Sequence, residues 1–366
     1  MGAARIDRVE RSVHEAGLDA LLITHPANIT YLTGLNASNA IALVLPARER
    51  CILIVDSRYA TSARALESAI PGLVVRVASG SLDEDAARQL TELDIHRIGI
   101  EADHLTVARF DRLAKLLARA GILEDGVLTP TTRIVERLRA VKEAGEILTL
   151  REAGRRISMV ARAARTLIRP GYTERRIAAA VDAAMREAGF DRPAFETIVA
   201  SGPNAALPHA RPTDRVIQDN EGVLLDFGGV YDGYCVDLTR TVHIGPMPEG
   251  FRRLFDAVRQ AQAAAIGAVR AEAHGVDVDR AARQVMIGHG LGEAFGHGTG
   301  HGLGLEVHEE PRISPLAPAD EPLQPGMVVT IEPGAYVPGI GGVRIEDDVL
   351  VTVGGCELLT DVPVEL

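Results

Sequence analysis

The sequence predicts two domains, an α/β domain over residues 1–130 followed by an α+β domain over residues 131–366. Three observations support this prediction. The length of 366 residues exceeds the roughly 100–200 residues of one ordinary domain. Short apolar strand patterns alternate with helical patterns only in the first third of the chain. Beyond it, charged helical stretches give way to strand-and-turn segments that contain seven of the eleven histidines.

The first domain is predicted from alternating strand and helix periodicity. Ile6, Val9 and Val13 recur at helical spacing and indicate a helix that ends near Gly17. Further on, short β-branched runs predict strands and amphipathic stretches predict helices. The predicted strands are 18–24, 40–45, 51–55, 74–77 and 98–100, and the predicted helices are 57–69 and 106–120.

The second domain begins with helices and continues with hairpins. A helical stretch over 136–168, interrupted near Gly145, is followed by a helix over 174–188. After Phe195 the pattern changes to strands and turns, with two further helices over 252–273 and 276–288. The residues that suggest chemistry lie in this second domain.

Composition excludes several classes of protein. With 39 basic and 50 acidic side chains, the net charge of −11 argues against nucleic-acid or anionic-membrane binding. Neither a phosphate-binding loop motif nor an apolar stretch of roughly 20 residues occurs. The three cysteines, Cys51, Cys235 and Cys356, are too few and too widely spaced for a disulfide scaffold or a structural zinc site. The first ten residues lack the apolar core of a signal peptide, so we expect a cytoplasmic protein.

Two aspartates are predicted to share one face of a β-hairpin. The segment 223–241 turns at Asp232-Gly233, a strong type I′ signal. With those residues as the loop, Asp226 lies opposite Thr239 and Asp237 lies opposite Gly228. Both carboxylates then project from the same face within roughly 7–8 Å of each other. Such a pair in an apolar hairpin is expensive unless a cation neutralises it, although one carboxylate facing solvent is the simpler alternative.

Two later segments add more candidate ligands. His297 and His301 lie in a stretch with five glycines in the nine residues 296–304, which forbids a zinc-binding helix. Glu332 and Glu346 fall within Val/Ile-rich runs that are predicted to be strands. Four carboxylates and about one imidazole form an oxygen-rich ligand set. It suits two Mn²⁺ ions, or Co²⁺ in vitro, better than zinc held by thiolates.

These segments together resemble the pita-bread metallopeptidases, specifically the Xaa-Pro branch of prolidases and aminopeptidases P. The matching motifs lie in 226–241, 297–309, 330–336 and 341–347, and upstream in 195–209. The similarity covers nearly the whole chain, with motifs in the family's order. It implies a creatinase/prolidase-type N-terminal domain followed by a pita-bread catalytic domain.

The resemblance also implies roles for individual residues. It implies two divalent metal ions, with Asp237 and Glu346 bridging them. Glu332 would also move the proton, and other residues would contact the substrate or support the site. The implied metal ligands are Asp226, Asp237, His301, Glu332 and Glu346. The implied catalytic residues are His209, His308, Glu332, His297 and Arg344, and the implied substrate contacts are Phe195, Tyr336 and Arg312.

One residue bears on which substrates of this family the protein would cleave. Arg312 is similar to the arginine with which some prolidases hold the carboxylate of a dipeptide, which favours a dipeptidase. An aminopeptidase acting on longer proline-containing peptides stays open, because Arg312 is equally compatible with an ordinary loop arginine. The resemblance further implies a homodimer in which the N-terminal domain covers the partner's site and limits substrate length.

Other functions fit less of the sequence. Methionine aminopeptidases share the five ligands but usually lack the N-terminal domain, and creatinase-like hydrolases share both domains without the full ligand set. A metal-free pita-bread module that binds peptides is the alternative outside enzymes. Such modules typically lose ligands, whereas all five candidates are present here.

Overall fold

The computed structural model describes residues 2–46, 50–122 and 126–364. The chain divides into two compact units, Met1–Arg139 and Ala140–Leu366. The predicted domain boundary between residues 130 and 131 falls within the last strand of the first unit, Leu128–Thr131. It stays a prediction, because a compact unit need not coincide with the segment that folds alone.

The first unit is built on a mixed six-stranded sheet in the order β4-β3-β2-β1-β5-β6. The strands β1 to β3 pair antiparallel, and the remaining neighbours pair parallel. The strands are β1 (Ala20–Ile23), β2 (Ala40–Leu45), β3 (Arg50–Val55), β4 (Leu73–Val77), β5 (Ile98–Glu101) and β6 (Leu128–Thr131). The helices are α1 (Gly2–Glu15), α2 (Pro26–Thr33), α3 (Ala60–Ala69), α4 (Leu82–Glu92), α5 (Val107–Arg119) and α6 (Ile134–Ala140).

The alternating pattern in the first unit is confirmed, although α2, α4 and β6 were not predicted. The predicted strand 40–45 matches β2, and the predicted helix 106–120 matches α5 within one residue at each end. Sequence analysis does not predict α4, although the chain signals its start. Ser81 and Glu84 form a reciprocal capping box, which satisfies backbone donors at the helix N-terminus.

In its described residues, up to position 364, the second unit contains three sheets and four long helices. The sheets have the orders β10-β9-β7 with β8 also paired to β9, β12-β11-β13-β16-β17, and β14-β15. The helices are α7 (Ala144–Ala164), α8 (Glu174–Glu187), α9 (Glu249–Ala268) and α10 (Gly275–Gly288), with 3-10 turns at Arg165–Leu167 and Gly202–Ala206. The strands are β7 (Arg192–Pro193), β8 (Ile198–Ser201), β9 (Gly222–Tyr231), β10 (Tyr234–His243), β11 (Gly300–Gly302), β12 (Glu309–Ile313), β13 (Val328–Ile331), β14 (Gly334–Val337), β15 (Gly341–Arg344), β16 (Asp347–Val351) and β17 (Cys356–Leu358).

Two predicted helix boundaries are wrong. The interruption expected near Gly145 lies earlier, between α6 and α7, because Val141 bridges to Met327 and the amide of Lys142 donates to the carbonyl of Gly326. Gly145 itself lies inside α7. The helix predicted over 252–273 ends at Ala268, since Val269 adopts an extended conformation.

The hairpin of β9 and β10 has the predicted register. Asp226 pairs with Thr239 and Asp237 pairs with Gly228. Asp232 and Gly233 both have positive φ, 48° and 82°, as a type I′ turn requires. The face opposite the aspartates carries apolar side chains that pack on α7 and α8, including Val223, Leu225, Phe227, Val236 and Leu238. The helices therefore cover one face of the hairpin and leave the aspartates on the other.

Glu332 and Glu346 occupy breaks between strands, which corrects the prediction that they lie within strands. Glu332 follows β13 and precedes β14, and Glu346 lies between β15 and β16. The chain changes sheets at both breaks, since β13 pairs with β16 whereas β14 pairs with β15. Pro333 lacks the N–H that a continuous ladder would need. The two glutamates thus lie at neighbouring points where the backbone changes direction.

Helices α9 and α10 cover the β13–β16 side of the second unit. Their side chains Phe255, Val258, Val278 and Ala282 form one core with residues of the strands, such as Val329. Within residues 2–46, 50–122 and 126–364, none of the helices combines the length and apolar character needed to cross a bilayer.

Candidate active site and metal centre

A cavity of about 360 Å³ opens in the second unit. Four separate segments of the chain supply its wall, so only the folded unit creates it. Every residue predicted for the site lines this cavity except Arg312. The lining residues among them are Phe195, His209, Asp226, Asp237, His297, His301, His308, Glu332, Tyr336, Arg344 and Glu346.

Two carboxylate oxygens in this cavity have no hydrogen-bond partner among the residues that the structure describes. They are Oδ1 of Asp237 and Oε1 of Glu346, whose residues are only 5% and 1% exposed. The other oxygen of Glu346, Oε2, accepts a hydrogen bond from Oγ1 of Thr239 at 2.7 Å. A buried carboxylate oxygen without a partner is costly, so a proton or a cation must compensate it.

An imidazole joins these two carboxylates. One ligand atom from each of Asp237, His301 and Glu346 lies within 4.8 Å of the others. Nδ1 of His301 lies 2.9 Å from the carbonyl oxygen of Gly302, which can only accept a hydrogen bond. Nδ1 therefore carries a proton, and Nε2 faces the carboxylates, 3.3 Å from Oε1 of Glu332. Such a backbone contact typically orients a histidine whose other nitrogen binds a metal.

The carboxylates of the site repel one another. Burial and the charge of Asp226 raise the pKa of Asp237 well above its usual range, and burial and the charge of Asp237 do the same for Glu346. Burial also raises the pKa of Asp226 even though Arg344 opposes it. Glu332 differs: burial acts to raise its pKa, but the hydrogen bond and charge of His301 outweigh burial and lower it. Glu332 is thus the carboxylate best suited to stay ionised.

The donor set fits divalent cations. Asp237 and Glu346 each have an orphaned oxygen, and one donor atom from each of Asp237, His301 and Glu346 lies within 4.8 Å of the others. Oxygen donors with a single imidazole suit a hard or borderline divalent ion. Positive charge would also relieve the repulsion that raises the carboxyl pKa values. These residues therefore form a candidate metal centre.

A directed chain of hydrogen bonds runs beside this centre. Arg344 donates to Asp226 through Nη2 and to the Tyr336 hydroxyl through Nη1. That hydroxyl lies 3.2 Å from Nε2 of His297, and Nδ1 of His297 lies 2.7 Å from the carbonyl oxygen of Gly298. Burial lowers the pKa of His297, so its ring is neutral. The Gly298 carbonyl only accepts, which places the proton on Nδ1, and Nε2 then accepts a hydrogen bond from the Tyr336 hydroxyl.

His209 and His308 lie at the rim of the cavity, whereas Arg312 is not part of its lining. His209 and His308 are exposed, and the His308 ring meets the His301 ring at a centroid distance of 4.3 Å. Arg312 is exposed on β12, directly opposite His301 on β11. Opposed residues in an antiparallel pair project from the same face. The guanidinium of Arg312 makes no hydrogen bond or ion pair with the described part of the chain.

Asp348 is a buried carboxylate of the site that was not predicted from the sequence. Its Oδ2 accepts a hydrogen bond from the backbone N–H of Asp237 at 3.0 Å, and its Oδ1 has no partner in the described ranges. Burial raises its pKa to about 8.

Asp347 was not predicted from the sequence either. Its carboxylate contacts Arg240 and Gln262. Its Oδ1 accepts from Nη2 of Arg240 at 2.7 Å, and its Oδ2 accepts from Nε2 of Gln262 at 2.7 Å. Arg240 is fully buried and also donates to the carbonyl of Glu346. This ion pair joins β10, which carries Asp237, to the strand break that carries Glu346. It therefore fixes the position of one acidic residue relative to the other.

Comparison with known proteins identifies the family. The model of metallopeptidase family M24 matches residues 149–353, and that of the creatinase/prolidase N-terminal domain matches residues 5–141. The chain belongs to metallopeptidase family M24. It is an enzyme of the peptidase class, with the two-domain pita-bread architecture that the sequence predicts. Membership in this family implies the use of divalent metal.

Individual relatives of this M24 peptidase cover almost its whole length. The uncharacterised peptidase YqhT of Bacillus subtilis is 35% identical over 99% of both chains. A structure of an Xaa-Pro dipeptidase from Bacillus anthracis is 35% identical, with a TM-score of 0.92 and coverage of 100% of this chain and 99% of that one. An X-Pro aminopeptidase from Thermotoga maritima is 34% identical, with a TM-score of 0.84 and coverage of 97% and 99%.

Proposed function

We propose that this M24 peptidase hydrolyses the Xaa-Pro bond of free dipeptides and uses two Mn²⁺ ions to do so. The observation that carries the proposal is the cluster of Asp237, His301 and Glu346, with two buried, unpartnered carboxylate oxygens and one oriented imidazole, in a cavity of about 360 Å³. The structural neighbours include an Xaa-Pro dipeptidase, which supports the same substrate class.

Five residues would hold the metal ions in this proposal, and all five line the cavity. When bound, two divalent ions supply Lewis acidity toward the scissile carbonyl and the attacking water. Asp237 and Glu346, whose orphaned oxygens are free to bind cations, would be shared between the two ions. The five ligands are Asp226, Asp237, His301, Glu332 and Glu346.

The other side chains move protons and bind the peptide. Glu332, whose pKa is lowered, accepts the proton of the water and delivers it to the leaving proline nitrogen. His209 and His308, at the rim, donate hydrogen bonds to the developing oxyanion. Burial lowers the pKa of His308, so its imidazole is neutral and retains one N–H to donate.

The substrate contacts lie around these groups. Phe195 and Tyr336 line the cavity wall, where they pack against the dipeptide. His297 and Arg344 support the site through the hydrogen-bond chain to Asp226. Arg312 provides an exposed guanidinium on the His301 face, without a partner in the described residues. Such a guanidinium is suited to hold the terminal carboxylate of a dipeptide.

An aminopeptidase that acts on longer peptides is the second candidate. It is favoured by the similarity to the X-Pro aminopeptidase of Thermotoga maritima, which nearly equals the dipeptidase in identity. The two candidates differ in the group on the C-terminal side of the proline: a free carboxylate in the dipeptide, and a further peptide bond in the longer substrate.

The metal and substrate assignments are tested together by loading the metal-free protein with Mn²⁺ and comparing Ala-Pro with Ala-Pro-Ala. We expect stoichiometric binding of about two ions per chain, rapid hydrolysis of Ala-Pro and slow hydrolysis of the tripeptide. Rapid tripeptide cleavage with an inert dipeptide would instead establish the aminopeptidase. A protein that binds no metal and gains no activity on Mn²⁺ addition would refute both enzymes.

The carboxylate clamp is tested by Arg312→Gln. Loss of a bidentate charge-assisted contact is expected to raise KM for Ala-Pro by about tenfold or more, with a smaller effect on kcat. Ala-Pro-amide, which lacks the carboxylate, serves as the matched control substrate. Its kinetics should be the same in the parent and the variant. An unchanged KM for Ala-Pro would remove Arg312 from the substrate site.

We further propose a cytoplasmic homodimer with a division of labour between residues 1–130 and 131–366. The described cysteines are all free thiols, which suits a reducing compartment. The first domain contributes contacts between subunits and limits substrate length, while the second carries the chemistry. A protein that is fully active as a monomer at assay concentration, measured by sedimentation, would contradict the dimer's role.

A further inference from the structure

The segment that carries His297 needs support from outside itself. Five glycines in the nine residues 296–304 give its unfolded backbone exceptional freedom, which favours disorder in the absence of external contacts. Yet His297 and His301 both line the cavity with defined partners. Several of the ordering contacts come from α10.

Asp279 on α10 holds one end of this segment. Its Oδ1 accepts hydrogen bonds from the backbone N–H of Thr299 at 3.1 Å and from its hydroxyl at 2.9 Å. Asp279 is 1% exposed and Thr299 is fully buried, so water does not compete for these bonds. The carbonyl of Thr299 in turn accepts the backbone N–H of Glu332 at 2.7 Å. Asp279 is thereby linked to the backbone at Glu332 through Thr299.

Arg283, one turn later, holds the other end. Its Nε and Nη2 each donate to Asp279 at 2.9 Å. Its Nη1 donates to the carbonyl of Phe295 at 3.0 Å, and Nη2 also donates to the carbonyl of His297 at 2.9 Å. The guanidinium lies 4.3 Å from the centroid of the Phe295 ring. The planar guanidinium of Arg283 thus fixes the backbone on both sides of Gly296.

These contacts belong to one face of α10. Gly275, Asp279 and Arg283 follow at intervals of four residues and so lie on one side of the helix. At Gly275 a side chain is excluded, since a Cβ atom would come within 2.2 Å of the Arg312 carbonyl oxygen. The same helix face therefore touches both the His297 segment and the strand that carries Arg312.

We propose that Asp279 and Arg283 are positioning residues for catalysis, which act by fixing the orientation and tautomer of His297. The tautomer depends on the carbonyl of Gly298, which faces Nδ1 of His297. Gly298 lies between His297, which Arg283 anchors, and Thr299, which Asp279 anchors. The catalytic consequence rests on the proposed Xaa-Pro hydrolysis, whereas the orientation of His297 does not.

The kinetic test compares two Arg→Lys variants of the same helix. Arg283→Lys keeps the charge but cannot form the fork, and it is expected to lower kcat for Ala-Pro about tenfold while KM stays within about twofold. Arg280→Lys is the matched control, because the Arg280 side chain is 55% exposed and forms its ion pair with Asp277 on the same helix. We expect it to leave both constants within about twofold of the parent values.

The spectroscopic test follows the ring nitrogens of His297 by NMR after ¹⁵N-histidine labelling. The parent and Arg280→Lys should show the Nδ1-protonated tautomer, and Arg283→Lys a mixture of tautomers. Thr299→Val, which removes only the hydroxyl bond to Asp279, provides a milder second variant with the same expected change. Assignment comes from the signals lost in His297→Asn.

Identical His297 signals in Arg283→Lys, Thr299→Val and Arg280→Lys would overturn the positioning role. A fall in kcat with an unchanged tautomer would overturn it too, since the effect would then be merely structural. The NMR comparison needs no substrate. Failure of the parent to cleave Ala-Pro would therefore refute the proposed function and leave the positioning role to be decided by the spectra.

Discussion

Replacing Asp237 with asparagine is expected to abolish binding of the metal pair and to lower turnover of Ala-Pro by at least about a thousandfold. A loss of this size corresponds to several kcal/mol of transition-state charge stabilisation. Asp237 contributes an unpartnered oxygen at the point where Asp237, His301 and Glu346 converge. An amide offers one weaker, neutral oxygen there, and its NH₂ group would face a cation. Metal content by mass spectrometry and turnover on Ala-Pro measure the two effects.

The same substitution is expected to leave the metal-free fold intact. Asp226 and Asp348 both raise the pKa of Asp237 by repulsion, so a neutral side chain relieves rather than adds strain. Thermal unfolding in EDTA should give a melting temperature at or above that of the parent. The matched control is Asp232→Asn in the turn of the same hairpin, where φ of 48° suits asparagine equally well. An Asp237→Asn protein that retains metal and turnover would refute the assignment of this ligand.

The hairpin that carries Asp237 was predictable because its determinants are local. The dipeptide Asp232-Gly233 specifies the turn, the turn specifies the register, and alternation then places Asp226 and Asp237 on one face. The ligand candidates were equally accessible, because charged residues in apolar or glycine-rich runs stand out. The way in which the separate segments meet was not predictable, since no local pattern specifies it.

The missed features of the site depend on contacts between distant parts of the chain. The bond between Asp237 and Asp348 spans 111 residues, and the Arg240–Asp347 pair spans 107. The strand break at Glu346 arises because β15 and β16 find different partners, which no local pattern in a Val/Ile-rich run reveals. The role of α10 is likewise invisible beforehand, since Asp279 and Arg283 resemble an ordinary exposed ion pair at helical spacing.

The repulsion among the site carboxylates should also make the metal-free protein less stable as pH rises. Unfolded Asp and Glu titrate at about 3.9 and 4.3. In the metal-free fold the pKa values of Asp237 and Glu346 are raised well above this range, and that of Asp348 is raised to about 8. Between the pKa values of the unfolded and of the folded state, the folded protein retains protons that the unfolded protein has released. The free energy of unfolding therefore falls as pH rises from about 4 toward 8.

Bound metal should remove this dependence, because cations favour the ionised carboxylates and metal binding itself releases protons. The gap in melting temperature between the Mn²⁺-loaded and the EDTA-treated protein is thus expected to widen from pH 5 to pH 8. Histidines buried in the neutral form, such as His297, act in the opposite sense, and comparing the two forms at each pH limits their contribution. Asp348→Asn, which removes one of the raised carboxyls, should flatten the slope of the EDTA-treated protein. A difference in melting temperature that stays constant or narrows toward pH 8 would contradict this prediction. It would show that the pKa values of these carboxylates are not raised in the metal-free fold.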